Sequence, residues 1–126
     1  MYTLCLQQGF TARHYLIGGD WGSENHPHSH TYRVEIRLAA HELDAHGYVA
    51  DLAQLELILD SCVAHYRDGL LNELPEFHEK NPSIERLANQ FCERFLQRLA
   101  SHAFSAVEVR IWENEIAWAS YRKSFP

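Results

Sequence analysis

The stretch His28-Ser29-His30-Thr31-Tyr32-Arg33-Val34-Glu35-Ile36-Arg37-Leu38 has a period of two. His28, His30, Tyr32, Val34, Ile36 and Leu38 fall on one face, and Thr31, Arg33, Glu35 and Arg37 on the other. Successive side chains of a strand point to opposite faces, so this pattern predicts a strand buried on one side. Upstream, Tyr2 to Arg13 alternates less regularly but is rich in Tyr, Leu, Phe and Thr, which predicts a second strand. Between them, Tyr15 to Pro27 carries Gly18-Gly19, Asp20, Gly22, Ser23 and Asn25 and reads as a loop. Connections of roughly a dozen residues in a compact domain are usually functional or mobile.

Downstream, Gly47 to Ala50 reads as the end of a further strand, entered through the turn Asp44-Ala45-His46-Gly47. Asp51 is a favourable helix N-cap, followed by Leu52, Leu55, Leu59, Cys62, Val63 and Tyr66 at helical spacing. Pro75 and Asn81-Pro82 bracket a connection. A second helix starts near Ser83 and presents Ile84, Leu87, Phe91, Phe95 and Leu99 to the core. Ala106 to Trp112 alternates again, and Ile116 to Tyr121 forms a last strand after the acidic turn Glu113-Asn114-Glu115. Strands, then two helices, then strands predict an α+β domain with both helices on one face of an antiparallel sheet.

Composition agrees. The chain has 126 residues, 46 % hydrophobic and 22 % charged, which is one domain spanning 1–126 and too short for two cores. With 11 basic against 17 acidic residues the net charge is -6, which argues against a nucleic-acid partner. No apolar run approaches the ~20 residues of a membrane span. No export signal precedes the first strand, and Cys5, Cys62 and Cys92 are odd in number and widely spaced in apolar surroundings. They are expected to be reduced, packed thiols of a cytoplasmic protein.

Nine histidines are the unusual feature. His28 and His30, two apart on a strand, project from the same face, and two such imidazoles reach one ion at the ~2.0–2.1 Å of zinc–nitrogen bonds. His14 ends the preceding strand, so an antiparallel return brings it beside them. Three protein ligands with an open fourth position is the layout of a catalytic zinc site. The spacing alone leaves a second reading open, that of solvated surface imidazoles. His26 shares the parity of His28, but Pro27 interrupts the ladder, so His26 is expected to stand behind the ligands or apart from them.

Taken together, several segments resemble the 6-pyruvoyl-tetrahydropterin synthase and 6-carboxy-tetrahydropterin synthase family. They are Phe10-x-Ala12-x-His14, His28-Ser29-His30-x-Tyr32-x-Val34 and Gly47-Tyr48-Val49-Ala50-Asp51-Leu52. Leu71-Asn72-Glu73-Leu74-Pro75, Asn81-Pro82-Ser83-Ile84-Glu85-x-Leu87-Ala88 and Val109-x-Ile111-Trp112-Glu113 follow in family order. The resemblance implies a four-stranded antiparallel sheet carrying two helices, the tunnelling fold, with three sheets closing a barrel in a homo-trimer or homo-hexamer. It implies Zn2+ on His14, His28 and His30. It also implies a reduced pterin anchored by Glu113, with Ser83 and Glu85 in a stretch near that pterin. Helix capping and first-turn charge are the plainer roles of Ser83 and Glu85.

Two positions depart from the family. Its usual members carry a cysteine four residues before the first histidine of the H-x-H pair, and here that residue is Glu24. A subgroup with Glu at this place is associated with cleaving the side chain of dihydroneopterin triphosphate, so the resemblance implies a general base at Glu24. The family's Asp-His proton carrier falls on Arg67-Asp68, which leaves Asp68 at a catalytic position without an imidazole to orient. A guanidinium is no base at neutral pH. His65 is expected to point elsewhere on its helix. The expected function is a zinc-dependent lyase acting on dihydroneopterin triphosphate or a related reduced pterin. The 6-carboxy-tetrahydropterin step of the queuosine pathway and a non-catalytic zinc- and pterin-binding protein are the alternatives.

Overall fold

The computed structural model describes residues 1–99 and 103–126. Four strands form one antiparallel sheet in chain order: β1 (Tyr2–His14), β2 (His28–Ala40), β3 (Ala106–Trp112) and β4 (Trp118–Ser124). Helices α1 (Leu52–Tyr66) and α2 (Ile84–Gln97) are inserted between β2 and β3 and pack on one face of the sheet. The period-two reading of β2 holds: Tyr32, Val34, Ile36 and Leu38 are buried in the core. They meet Leu6 and Phe10 of β1, Val107, Val109 and Ile111 of β3, and Leu55, Leu59, Val63, Leu87, Phe91 and Phe95 of the helices. Burial of each large apolar side chain contributes about 1.5–3 kcal/mol.

Both expected helix caps form. The Asp51 carboxylate accepts from the Ala53 N–H at 3.0 Å, and the Ser83 hydroxyl oxygen accepts from the Arg86 N–H at 3.2 Å. Each satisfies a backbone donor that the first helical turn leaves without an intrahelical partner.

Four expectations need correction. Gly47 to Ala50 is not a strand: Asp44 folds this segment onto itself, its carboxylate accepting from His46 and Tyr48 N–H while its own N–H donates to the Tyr48 carbonyl. Leu52 is exposed, and Ile58 takes its place on the buried face of α1. The last strand starts at Trp118 rather than Ile116 because the Asn114 side chain accepts from both Ile116 and Ala117 N–H, holding these residues in a turn. Cys62 and Cys92 are buried, with thiol pKa values pushed by burial up to about 11 and about 12, but Cys5 is exposed.

The face of the sheet away from the helices is polar, as the sequence predicts, with one surprise. Glu35 is only 4 % exposed. It accepts from Trp112 Nε1–H at 3.0 Å and pairs with Arg37 at 3.3 Å, so its charge is matched where it is buried.

Candidate metal centre

Pairing of β1 with β2 runs unbroken from Tyr2 opposite Ala40 to His14 opposite His28. That register sets His14 beside His28 at the sheet's end, with His30 one pleat inward on the same face. The three rings stand edge to face, their centroids 4.6 Å apart for His14–His28, 4.9 Å for His14–His30 and 5.0 Å for His28–His30. One nitrogen from each lies within 4.8 Å of the other two.

Two backbone carbonyls aim the rings. His14 Nδ1 lies 3.1 Å from the Pro82 carbonyl, and His28 Nδ1 lies 2.9 Å from the His26 carbonyl. A carbonyl only accepts, so each Nδ1 carries the proton and each Nε2 keeps a free lone pair. This is how metal-binding imidazoles are typically held. His28 Nε2 and His30 Nε2 are moreover buried without a hydrogen-bond partner. Burial pushes the His14 pKa below its ordinary value, with the neighbouring histidines adding to the effect against the Pro82 hydrogen bond. The neutral ring that a metal needs is therefore the favoured form. Three imidazoles, each offering one nitrogen within 4.8 Å of the other two, fit a zinc ion.

The Glu113 carboxylate joins this group. Its Oε1 lies 3.3 Å from His30 Nε2 and 3.9 Å from His14 Nε2. With His30, Tyr32, Arg33 and Trp112 it lines an open cleft of about 520 Å³, within the range of small-molecule sites. The Tyr32 hydroxyl is buried without a partner, and burial together with Glu113 holds its pKa well above the usual phenol range. It therefore remains a hydrogen-bond donor.

Glu24 lies in a 3₁₀ turn, Gly22–Asn25, within the loop that joins the first and second histidines. Its side chain is exposed, and its carbonyl accepts from the Leu16 N–H at 2.9 Å. The loop is tied down by amides. Asn25 donates to the carbonyls of Leu16 and Gly19, while Asn72 and Asn81 each hold both the N–H and the carbonyl of one loop residue, Tyr15 and Ile17 respectively. Ser83 and Glu85 are at the start of α2, directly after the Pro82 that orients His14, but neither lines the cleft. Asp68 is exposed in a left-handed turn (φ 60°), its N–H donating to the Thr11 carbonyl at 2.7 Å. His65 points elsewhere, as expected: its Nε2 lies 3.2 Å from Glu76 and 2.9 Å from Arg94.

The sequence reading missed the orienting carbonyls of His26 and Pro82 and the loop-holding amides of Asn72 and Asn81. A carbonyl has no residue signature, but Asn72, Asn81 and Pro82 all lay inside the motifs quoted above.

A family model described as 6-pyruvoyl tetrahydropterin synthase matches residues 3–124. A curated Archaeoglobus fulgidus protein, provisionally named 6-carboxy-5,6,7,8-tetrahydropterin synthase, is 31 % identical over 96 residues, 76 % of either chain. Among solved structures, 6-pyruvoyl tetrahydropterin synthase of Caenorhabditis elegans superposes with a TM-score of 0.83 at 23 % identity, covering 98 % of this chain and 96 % of that one. A Plasmodium vivax 6-pyruvoyltetrahydropterin synthase, solved with its catalytic glutamate replaced by cysteine, gives 0.74 at 17 % identity, with 98 % of each chain covered.

Proposed function

The chain belongs to the 6-pyruvoyl tetrahydropterin synthase family, and on that premise we propose that it is a zinc-dependent lyase acting on dihydroneopterin triphosphate or a related reduced pterin. The observation that carries this reading is the cluster of three imidazole nitrogens, one each from His14, His28 and His30, beside a cleft lined by Glu113. His14, His28 and His30 would hold the ion, which supplies a Lewis acid for the oxygens of the substrate side chain. Glu113 is the anchor for the pterin ring, its two oxygens accepting from paired N–H donors. Ser83 and Glu85 lie outside the cleft at the start of α2, and this reading gives them contact only with a part of the substrate that projects beyond it. Glu24 acts as the general base, taking a proton from a side-chain hydroxyl of the substrate. The Plasmodium vivax protein, whose catalytic residue is a glutamate, favours this assignment. Asp68 takes the place of the family's histidine and assists as a carboxylate from its turn beside β1.

The Archaeoglobus relative favours a second reading, formation of 6-carboxy-tetrahydropterin. Incubation with dihydroneopterin triphosphate and mass spectrometry of the products separates the two. The proposal expects loss of the three-carbon side chain or its elimination product, abolished in Glu24→Gln. Accumulation of 6-carboxy-tetrahydropterin supports the second reading instead, and unchanged substrate contradicts both.

The assembly belongs to the proposal as well. The outer edges of β1 and β4 have no partner strand among the described residues, and open edges are rarely left unpaired in long strands. Pairing β1 of one copy with β4 of the next closes a barrel from three copies, alone or stacked as a hexamer. A monomer at micromolar concentration in a solution mass measurement contradicts this.

A further inference from the structure

Glu113 and His30 face each other in a way that neither group satisfies alone. Oε1 is 3.3 Å from His30 Nε2, close enough for a hydrogen bond, yet Nε2 has no hydrogen-bond partner because the carboxylate is not aligned with it. His14 Nε2, whose Nδ1 proton is committed to Pro82, points a bare lone pair toward the same Oε1 at 3.9 Å. An acceptor oxygen against two ring nitrogens needs a positive charge between them. A proton would sit on the N···O line, whereas an ion shared by both groups lies off it. In a tetrahedral site with bonds of ~2.0–2.1 Å, neighbouring donor atoms are about 3.3–3.4 Å apart, and the ion is displaced from the line joining them. The His30–Glu113 separation is that edge length, and the His14–Glu113 separation is a slightly open one.

The backbone holds Glu113 there. Trp112, the last residue of β3, is opposite Arg33, so Glu113 continues the strand on the histidine side of the sheet. Its N–H donates to the Ala117 carbonyl at 3.2 Å, closing the turn that Asn114 builds. The side chain is 29 % exposed toward the cleft and is therefore open to an incoming ligand.

We propose that Glu113 is a fourth, displaceable ligand of the ion held by His14, His28 and His30 in the substrate-free protein. This rests on the metal-site reading above and adds to it. The carboxylate that anchors the pterin in that reading is at rest on the ion, so substrate entry exchanges one for the other. The exchange makes and breaks only coordination and hydrogen bonds. It keeps the ion four-coordinate and shielded from bulk water until a ring with paired N–H donors draws the carboxylate away.

The test uses the full chain and Co2+ as the probe. Apoprotein is titrated with Co2+ at neutral pH, following affinity and visible absorption, for the wild type, Glu113→Gln and the double variant His28→Ala/His30→Ala. Loss of a group that only hydrogen-bonds to a metal ligand weakens metal binding about 10–100-fold, so loss of a direct ligand by Glu113→Gln is expected to cost at least about 10-fold and to change the absorption bands. An infrared difference spectrum, metal-loaded minus apo, should show a carboxylate band in the wild type that vanishes in Glu113→Gln. The band itself is read on the wild type, and Glu113→Ala replaces Glu113→Gln as the carboxylate-free control if Gln perturbs the turn. Unchanged Co2+ affinity, bands and carboxylate signal in Glu113→Gln overturn the proposal while leaving the three-histidine site intact. Failure of the wild type to bind Co2+ overturns this proposal and the metal-site reading together.

Discussion

Asn72→Ala should loosen the loop between His14 and His28 without touching either histidine. The chain leaves β1 at His14 and finds no further strand to pair with. Asn72 replaces one: its Oδ1 accepts from the Tyr15 N–H at 2.9 Å and its Nδ2 donates to the Tyr15 carbonyl at 2.9 Å. Alanine removes both bonds. A net contribution of about 0.5–1.5 kcal/mol per hydrogen bond gives roughly 1–3 kcal/mol. Tyr15 is half-buried, so water reaches the freed groups in part and the lower half of that range, about 1–2 kcal/mol, is expected. For urea slopes of ~1–3 kcal/mol/M this is a fall in midpoint on the order of 1 M at unchanged slope. Asn81 holds Ile17 in the same way, at 2.7 and 3.1 Å, so the double variant should cost less than the sum of the two, since both act on one segment. Urea denaturation followed by circular dichroism measures all three. A shift below about 0.3 kcal/mol for Asn72→Ala, or strictly additive costs, would refute the view that these amides act as a surrogate strand.

Three further outcomes follow from the same geometry. Because burial lowers the native pKa of His14, the unfolded chain, titrating near ~6.5, binds the extra proton first as pH falls; stability of the apoprotein should be full above that value and decline as pH drops toward the native one. Urea midpoints at pH 8 and pH 5.5 measure this, and His14→Gln should lessen the slope. Glu76→Ala should cost about 1–3 kcal/mol by thermal or urea melting, because it strands the buried Tyr66 hydroxyl that donates to Glu76 at 2.9 Å and leaves Arg94 without its carboxylate. Glu24→Cys alone should form no pyruvoyl- or carboxy-tetrahydropterin by mass spectrometry, whereas adding Arg67→Asp and Asp68→His, which rebuilds the family's proton carrier, should form some. Histidine is tolerated at the left-handed conformation that Asp68 holds.

The parts of the fold that follow local rules were legible. The alternation of β2, the spacing of the core positions in α2 and the caps Asp51 and Ser83 depend only on neighbours in sequence, and all are present. The His14–His28–His30 cluster was legible for a related reason: an antiparallel return after a loop brings the end of one strand to the start of the next. What escaped depends on longer-range or side-chain-specific choices. Gly47 to Ala50 has strand-like residues, but Asp44 captures their backbone donors first. Glu35 is buried because Arg37 and Trp112 close over it, which alternation alone does not reveal. Without the family resemblance, Glu113 is only one acid of the turn Glu113-Asn114-Glu115. Its place beside His30 follows from the register of β3 on β2, fixed by the whole strand rather than by its own neighbours.

Metal analysis of the purified wild type beside His28→Ala/His30→Ala tests the metal centre most directly. Three imidazole nitrogens that lie within 4.8 Å of one another predict one zinc ion per chain in the wild type and none in the double variant. A wild type without metal, or a double variant that retains it, would contradict the account.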